Sequence, residues 1–276
     1  MVASVSSSAL PVRERTLVER IRERGPALVA LSGGVDSALV ASLAFEALGS
    51  RAVAVTLTGP AVSRAEVERA TEVARAIGIE HHLVRADPLE NAEYRANPSD
   101  RCYFCRSVET RRLREFGDGR GILQFLDGVQ ADDLHDDRPG LRAMDEAGFD
   151  HPLAWGGWTK SDVRRVARVR GLPNADQPSD ACLASRVAHG HAIDGDLLAR
   201  IEAAEALLLA RGFRRVRVRV EDGAARIEVD PDEVALLSVP ATAARVTADI
   251  GALGFAPVTI DPRGYGASRG EPEGPS

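Results

Sequence analysis

The sequence predicts an α/β protein, with a parallel sheet built from βαβ units followed by a smaller α/β unit. Three observations carry this expectation. Apolar, strand-like runs alternate with helical segments at βαβ spacing through the first half of the chain. A glycine-containing turn, residues 32–37 (SGGVDS), separates the first of these runs from a helix. Around residue 216 valine and arginine alternate strictly, the period of a strand with one buried face.

In chain order, residues 13–24 place Leu17, Val18 and Ile21 at helical spacing, and Gly25-Pro26 ends that helix. Residues 27–31 (ALVAL) suit a buried strand. After the SGGVDS turn an Ala/Leu-rich helix runs to Leu48, and residues 51–58 (RAVAVTLT) form a second strand. Ser63 and Glu66 make a capping box ahead of a helix reaching Ile77, with a third strand at 80–84 and a fourth at 122–126. Thr159 and Asp162 cap another helix, which ends near Gly171-Leu172-Pro173. Residues 174–190 lack periodicity and are rich in Pro, Ser, Asp and Ala, so they read as a functional loop joining two domains, 1–190 and 191–276. A helix at 196–211 follows. Residues 213–220 then form a strand with Val216, Val218 and Val220 on one face and Arg215, Arg217 and Arg219 on the other. Glu221-Asp222-Gly223 turns this strand into a hairpin with 224–229. One or two helices and a strand at 255–260 complete the unit, and the Gly/Pro-rich tail from Arg263 is expected to fray.

The 276 residues include 44% hydrophobic and 28% charged side chains, which excludes disorder, collagen-like repeats and coiled coil. A net charge of −6 has the wrong sign for a protein held mainly by phosphate-backbone contacts, so no nucleic-acid partner is expected. No run approaches the roughly eighteen apolar residues of a membrane span, and the opening ten residues lack a leader pattern. Three cysteines cannot pair off, which points to a reducing, cytoplasmic compartment and asks for a chemical explanation. Lys160 is the only lysine, and its place is the first turn of a helix.

The SGGVDS turn lies where a phosphate-binding loop belongs. Gly33 and Gly34 allow close backbone approach to an anion, Ser32 and Ser37 add hydroxyls, and the following helix N-terminus favours negative charge. A Walker lysine is missing, and Asp36 points to magnesium or to orienting the loop. The plainer alternative is a tight strand-to-helix turn. Cys102 and Cys105 have C-x-x-C spacing in a loop opening a helix, open to zinc completed by His81 or His189, to redox chemistry, or to thiolate ligation. Cys182, four residues before Arg186 in the unpatterned loop, is either a small buried hydrophobe or a thiolate. The acidic segment 132–137 reads equally as a nucleotide or magnesium contact and as a solvated turn, and Trp155 and Trp158 as packing residues. Arg215, Arg217 and Arg219 either bind anions through their guanidinium forks or form an exposed basic strand face.

SGGVDS after a first parallel strand resembles the signature of the PP-loop ATP pyrophosphatases. That resemblance implies a doubly wound parallel sheet, with ATP near the switch point and cleavage between its α- and β-phosphates. Together SGGVDS, NPSDRCYFC, ADDLHDDRPG, WTKSDVRRVA, PSDACLASR and RVRVRVEDGAARIEV resemble, in order and spacing, the LarE-type ATP-dependent sulfur transferases of nickel-pincer nucleotide synthesis. By that resemblance the chain would adenylate a carboxylate of a pyridinium dicarboxylate mononucleotide and convert it to a thiocarboxylate, releasing pyrophosphate and AMP. Residues 32–37 (Ser32, Gly33, Gly34, Val35, Asp36 and Ser37), with Gly128 and Asp132, would bind ATP and magnesium. Arg186, Arg215, Arg217 and Arg219 would bind the substrate. Sulfur would come either from Cys182, sacrificed to dehydroalanine, or from a 4Fe-4S cluster held by Cys102, Cys105 and Cys182; the C-x-x-C pair favours the cluster. The resemblance further implies a homo-oligomer, a sulfide donor and a downstream nickel-insertion protein. tRNA thiolation by a related PP-loop enzyme is the alternative, disfavoured by the acidic balance. An amidotransferase-type ligase would leave all three cysteines without a task. The chain departs from the family at Gly128-Val129-Gln130, where Gly-Thr-Asn is common, at Val187-Ala188-His189-Gly190, where Pro-Tyr-Gly is usual, and at Gly264-Tyr265-Gly266, which lacks a following Arg.

Overall fold

A computed structural model describes residues 10–135, 138–178 and 180–266. Residues 1–9, Asp136, Asp137, Ser179 and the tail from 267 lie outside the described residues, and so do the readings that fall on them. The chain divides into two compact units. Among the described residues, one runs from Leu10 to Asp87 and resumes over Tyr103–Asp180; the other comprises Pro88–Cys102 and residues 181–266.

The first unit opens with α1 (Leu10–Arg24), β1 (Ala27–Ala30), α2 (Val35–Leu48), β2 (Ala52–Thr58), α3 (Arg64–Ile77) and β3 (Glu80–Arg85). After α4 (Ala92–Arg95) in the second unit, α5 (Arg101–Asp118) brings the chain back to β4 (Gln124–Leu126), α6 (Pro139–Glu146), α7 (Pro152–Trp155) and α8 (Lys160–Val169). The four strands are parallel in the order β3-β2-β1-β4. The chain therefore winds outward from β1 through β3 and then crosses to the other side of β1, which creates a switch point between β1 and β4.

Strand alternation sends Ala27 and Val29 into a core with α1, α2, α3 and α8, while Leu28, Val53, Val55 and Phe125 join Leu113 of α5 and Met144 of α6 on the opposite face. Helices on both faces make the sheet doubly wound, as expected. Both capping boxes form: Ser63 Oγ accepts the Glu66 amide at 3.3 Å, and Thr159 Oγ1 accepts the Asp162 amide at 3.3 Å. β4 is shorter than its sequence pattern because Leu123 is exposed, and strand pairing begins only at Gln124, whose side-chain amide donates to Ile21 O at 2.8 Å and Gly25 O at 2.6 Å.

In the second unit α9 (Gly195–Leu209) precedes β5 (Val216–Glu221) and β6 (Ala224–Val229), an antiparallel hairpin. α10 (Val234–Leu237), α11 (Pro240–Gly251) and β7 (Val258–Ile260) follow, with β7 parallel to β6. Val216, Val218 and Val220 are buried as the alternation requires. The arginine face of β5 is covered rather than open: Arg217 is buried, Arg219 donates to Glu228 at 3.0 Å, and the Arg215 guanidinium lies 3.8 Å from the centre of the Tyr265 ring. Among the described residues no helix is long and apolar enough to cross a membrane.

Candidate functional site

Chemistry-bearing residues gather in each unit. In the first, the SGGVDS turn leaves β1 and enters α2. Ser37 Oγ accepts the Ser32 amide at 3.2 Å and donates to Gly34 O at 3.1 Å; Ser32 Oγ accepts the Gly34 amide at 3.3 Å. Gly33 needs its freedom twice over. Its φ is +81°, and a Cβ there would lie 2.9 Å from Glu66 O and 3.1 Å from Ala70 N. Asn174 donates to Gly33 O at 2.8 Å, so the first residue of the unpatterned loop fixes the turn. Gly34 caps α2 without a side-chain hydrogen bond, so that helix terminus keeps the free N–H donors and partial positive charge that suit a phosphate.

Gly128, after β4, completes the turn's surroundings, since a Cβ there would lie 2.6 Å from the Ser37 amide nitrogen and 3.1 Å from Asp36 Cβ. Asp36 Oδ2 is ion-paired with Lys160 Nζ, and the Lys160 amide donates to Asp132 Oδ2 at 2.9 Å. Burial pushes the Asp36 carboxyl above its ordinary value, against the opposing pull of the Lys160 ammonium. Its Oδ1 is buried with no hydrogen-bond partner, and an unserved carboxylate oxygen fits a hard divalent cation such as magnesium. Lys160 thus supplies the cation that the SGGVDS loop itself lacks. The sequence shows it as the only lysine of the chain but gives no sign of its reach across 124 positions. Of the acidic segment, Asp132 and Asp133 lie in a short 3-10 turn over residues 131–135, and Asp133 pairs with Arg138 at 2.6 Å.

In the second unit Cys182 precedes a 3-10 turn over Leu183–Arg186. The Arg186 guanidinium is buried. It donates to Cys182 O at 2.9 Å and makes paired bonds to Glu205 at 2.9 and 3.0 Å. Glu205 Oε1 also accepts the Val218 amide at 3.0 Å, so the cysteine turn is tied to α9 and β5. Arg219 donates to Ser185 O at 3.3 Å. Asn97, buried with φ +54°, donates to Ala188 O at 2.8 Å and His191 O at 3.0 Å, and its Oδ1 accepts from Arg101 at 2.9 Å. Arg101 Nη1 is also 3.1 Å from His189 Nδ1. Burial pushes the Cys182 thiol up; the charges of Arg101 and Arg186 pull it back down, whereas Cys102 raises it further.

The structure thus brings Cys182, Cys102 and Arg101 into electrostatic range. Cys102 and Cys105 both lie in the first turns of α5 rather than in a preceding loop, three positions apart and so on one helix face, and Cys105 Sγ is 3.5 Å from Glu109 Oε1. Among the described residues no three His, Cys, Asp or Glu side chains are gathered as a metal-holding group. All three cysteines are free thiols, the donor type an iron–sulfur cluster takes, but only Cys102 and Cys105 share a helix face. Asn97, Arg101, Asn174 and Glu205 escaped sequence reasoning because each acts through a partner distant in the chain.

Comparison with known proteins bears on both sets of residues. The asparagine synthase family model matches residues 14–102. An uncharacterized protein of Synechocystis sp. is 40% identical over 87% of this chain and 89% of its own length. The pyridinium-3,5-bisthiocarboxylic acid mononucleotide synthase of Lactiplantibacillus plantarum is 31% identical over 95% of each chain. Among solved structures, the NMN synthetase of Francisella tularensis shares the fold with a TM-score of 0.52 at 19% identity, over 64% of this chain and 76% of that one.

Proposed function

Because the chain belongs to the family of LarE-type ATP-dependent sulfur transferases, we propose that it adenylates a carboxylate of a pyridinium dicarboxylate mononucleotide and exchanges its oxygen for sulfur in nickel-pincer nucleotide synthesis. The observation that carries this reading is the occurrence in one chain of a phosphate-binding turn and a cysteine turn built around Cys182. ATP lies with its phosphates at residues 32–37 and the N-terminus of α2, backed by Gly128 and Asp132. Lys160 neutralises charge that develops on the departing pyrophosphate, and Asp36 would hold a magnesium ion that would supply further neutralisation there. The substrate carboxylate attacks the α-phosphorus, the bond to the β-phosphate oxygen breaks, and an acyl-adenylate forms.

The unit that carries residues 32–37 acts as the ATP pyrophosphatase domain, and the unit that carries 191–266 as the substrate and oligomerisation domain. Of the three arginines, the part-exposed Arg215 and Arg219 would hold the substrate's phosphate and carboxylates on leaving Tyr265 and Glu228, while Arg217 is buried. Arg186 serves the same step by fixing the Cys182 turn. In the sacrificial route the Cys182 thiolate attacks the acyl carbon and AMP leaves. Loss of the Cys182 α-proton then breaks the Cβ–S bond, giving the thiocarboxylate and dehydroalanine. In the favoured route Cys102, Cys105 and Cys182 would hold a 4Fe-4S cluster, which would supply a transferable sulfide in place of the cysteine sulfur. In this reading the enzyme works in the cytoplasm as a homo-oligomer, between a sulfide donor and a nickel-insertion protein.

Anaerobic iron and sulfide analysis, combined with intact mass before and after turnover, tests the proposal. Cluster chemistry leaves the mass unchanged, while the sacrificial route removes the elements of hydrogen sulfide at Cys182. Labelled sulfur found in tRNA and not in the small nucleotide would overturn the substrate assignment.

A further inference from the structure

Asp127 follows β4 at the switch point and is almost wholly buried. Its Oδ1 accepts the Val129 amide at 3.0 Å and faces His151 Nδ1 at 2.8 Å, while Oδ2 is buried with no hydrogen-bond partner. A carboxylate held this way is costly unless a cation opposes it. His151 can be that cation, because its Nε2 faces a second carboxylate, Asp145 Oδ1, at 2.9 Å. A neutral imidazole has only one N–H, so two carboxylates on its two nitrogens are both satisfied only by the imidazolium.

Between Asp127 and Val129 lies Gly128, the residue whose missing Cβ lets the turn rest against the Ser37 amide and Asp36. Contact at that range passes any displacement of the turn to the atoms that receive phosphate and magnesium.

We propose that His151 is a positioning residue of the ATP site, locking Asp127 so that Gly128 stays seated against Ser37 and Asp36. The inference rests on reading residues 32–37 as the ATP site. The charged groups around the imidazole are Asp127 at the end of β4 and Asp145 at the end of α6; the adjacent Asp150 is paired with Arg24 of α1 at 2.6 Å. Burial alone would push the imidazolium's pKa down, but the hydrogen bonds and charges of Asp127 and Asp145 outweigh it and raise the pKa to about 9.

The test is calorimetric titration of the full chain with MgATP from pH 7 to 10, for the wild type, His151→Gln and Asp145→Asn. At pH 7, His151→Gln binds about tenfold more weakly, the size of one lost charge-assisted hydrogen bond, and Asp145→Asn about two- to threefold more weakly. Wild-type affinity converges on that of His151→Gln as pH passes about 9, a signature that general loosening of the fold would not produce. Unchanged affinity in folded His151→Gln, or parallel profiles through pH 9, would overturn the assignment alone. A wild type that binds no MgATP overturns the ATP reading and this inference with it. If His151→Gln does not fold, Asp145→Asn decides: loss of one carboxylate moves the alkaline decline to lower pH, and an unmoved decline refutes the proposal.

Discussion

Arg186 and Glu205 meet through two parallel N–H···O bonds of 2.9 and 3.0 Å in the interior of the second unit. Their geometry is bidentate, and both side chains are nearly excluded from solvent. Glu205→Ala strands a buried guanidinium and releases the Val218 amide. The expected loss is about 3–5 kcal/mol of unfolding free energy. Urea denaturation measures it, and a change below about 1 kcal/mol would show that the pair is not holding the cysteine turn.

Lys160→Met removes the ammonium ion-paired with Asp36. MgATP affinity should fall roughly tenfold to a hundredfold, the range for a charge-assisted bond. Because burial already raises the Asp36 carboxyl, loss of the ammonium raises it further, so the acid limb of the affinity profile moves to higher pH. Titrations between pH 5 and 8 would detect the movement.

Gly128→Ala places a methyl 2.6 Å from a backbone nitrogen that has little room to retreat. An overpacking cost of about 1–3 kcal/mol is expected, with MgATP affinity reduced alongside. Wild-type melting and binding in this variant would contradict the close packing described for the turn.

The His151 clamp also makes stability depend on pH. The imidazolium is favoured in the folded chain, with a pKa raised from 6.5 to about 9. Its contribution is therefore complete below pH 6.5 and lost as pH rises through about 9. The stability difference between wild type and His151→Gln in urea should be widest near pH 6 and close by pH 10. A constant difference would mean that protonation is not involved.

Cys182→Ala should abolish sulfur transfer while leaving MgATP affinity within about twofold of wild type, since residues 32–37 and the N-terminus of α2, not the thiol, receive the phosphates. Transfer at the wild-type rate would remove Cys182 from the chemistry. In Cys102→Ala, anaerobically reconstituted protein should lose its cluster absorbance, and retention of the full spectrum would count against the three-cysteine ligand set.

What could be read from the sequence was local. The Ser63–Glu66 and Thr159–Asp162 boxes declare themselves within four residues, and the β1-turn-α2 unit within about twenty. The alternation of β5 gave its buried face correctly but left open what covers the arginines, because Glu228 and Tyr265 belong to other strands and turns. Lys160 and Asp36 illustrate the limit. Each was visible by itself, yet only the winding of the sheet and the packing of α8 beside α2 bring them together. The same holds for residues 88–102, whose membership of the second unit depends on Asn97 and its hydrogen bonds to the backbone of 188 and 191.

A chain with one lysine carries its own chemical reporter. Any amine-directed reagent has two kinds of target, the α-amino group and Lys160, and the second stands at the proposed phosphate turn in partial contact with solvent. Acylation of that amine, read by intact mass with and without nucleotide, would therefore count occupied sites directly, with no engineered label and no need for the sulfur acceptor.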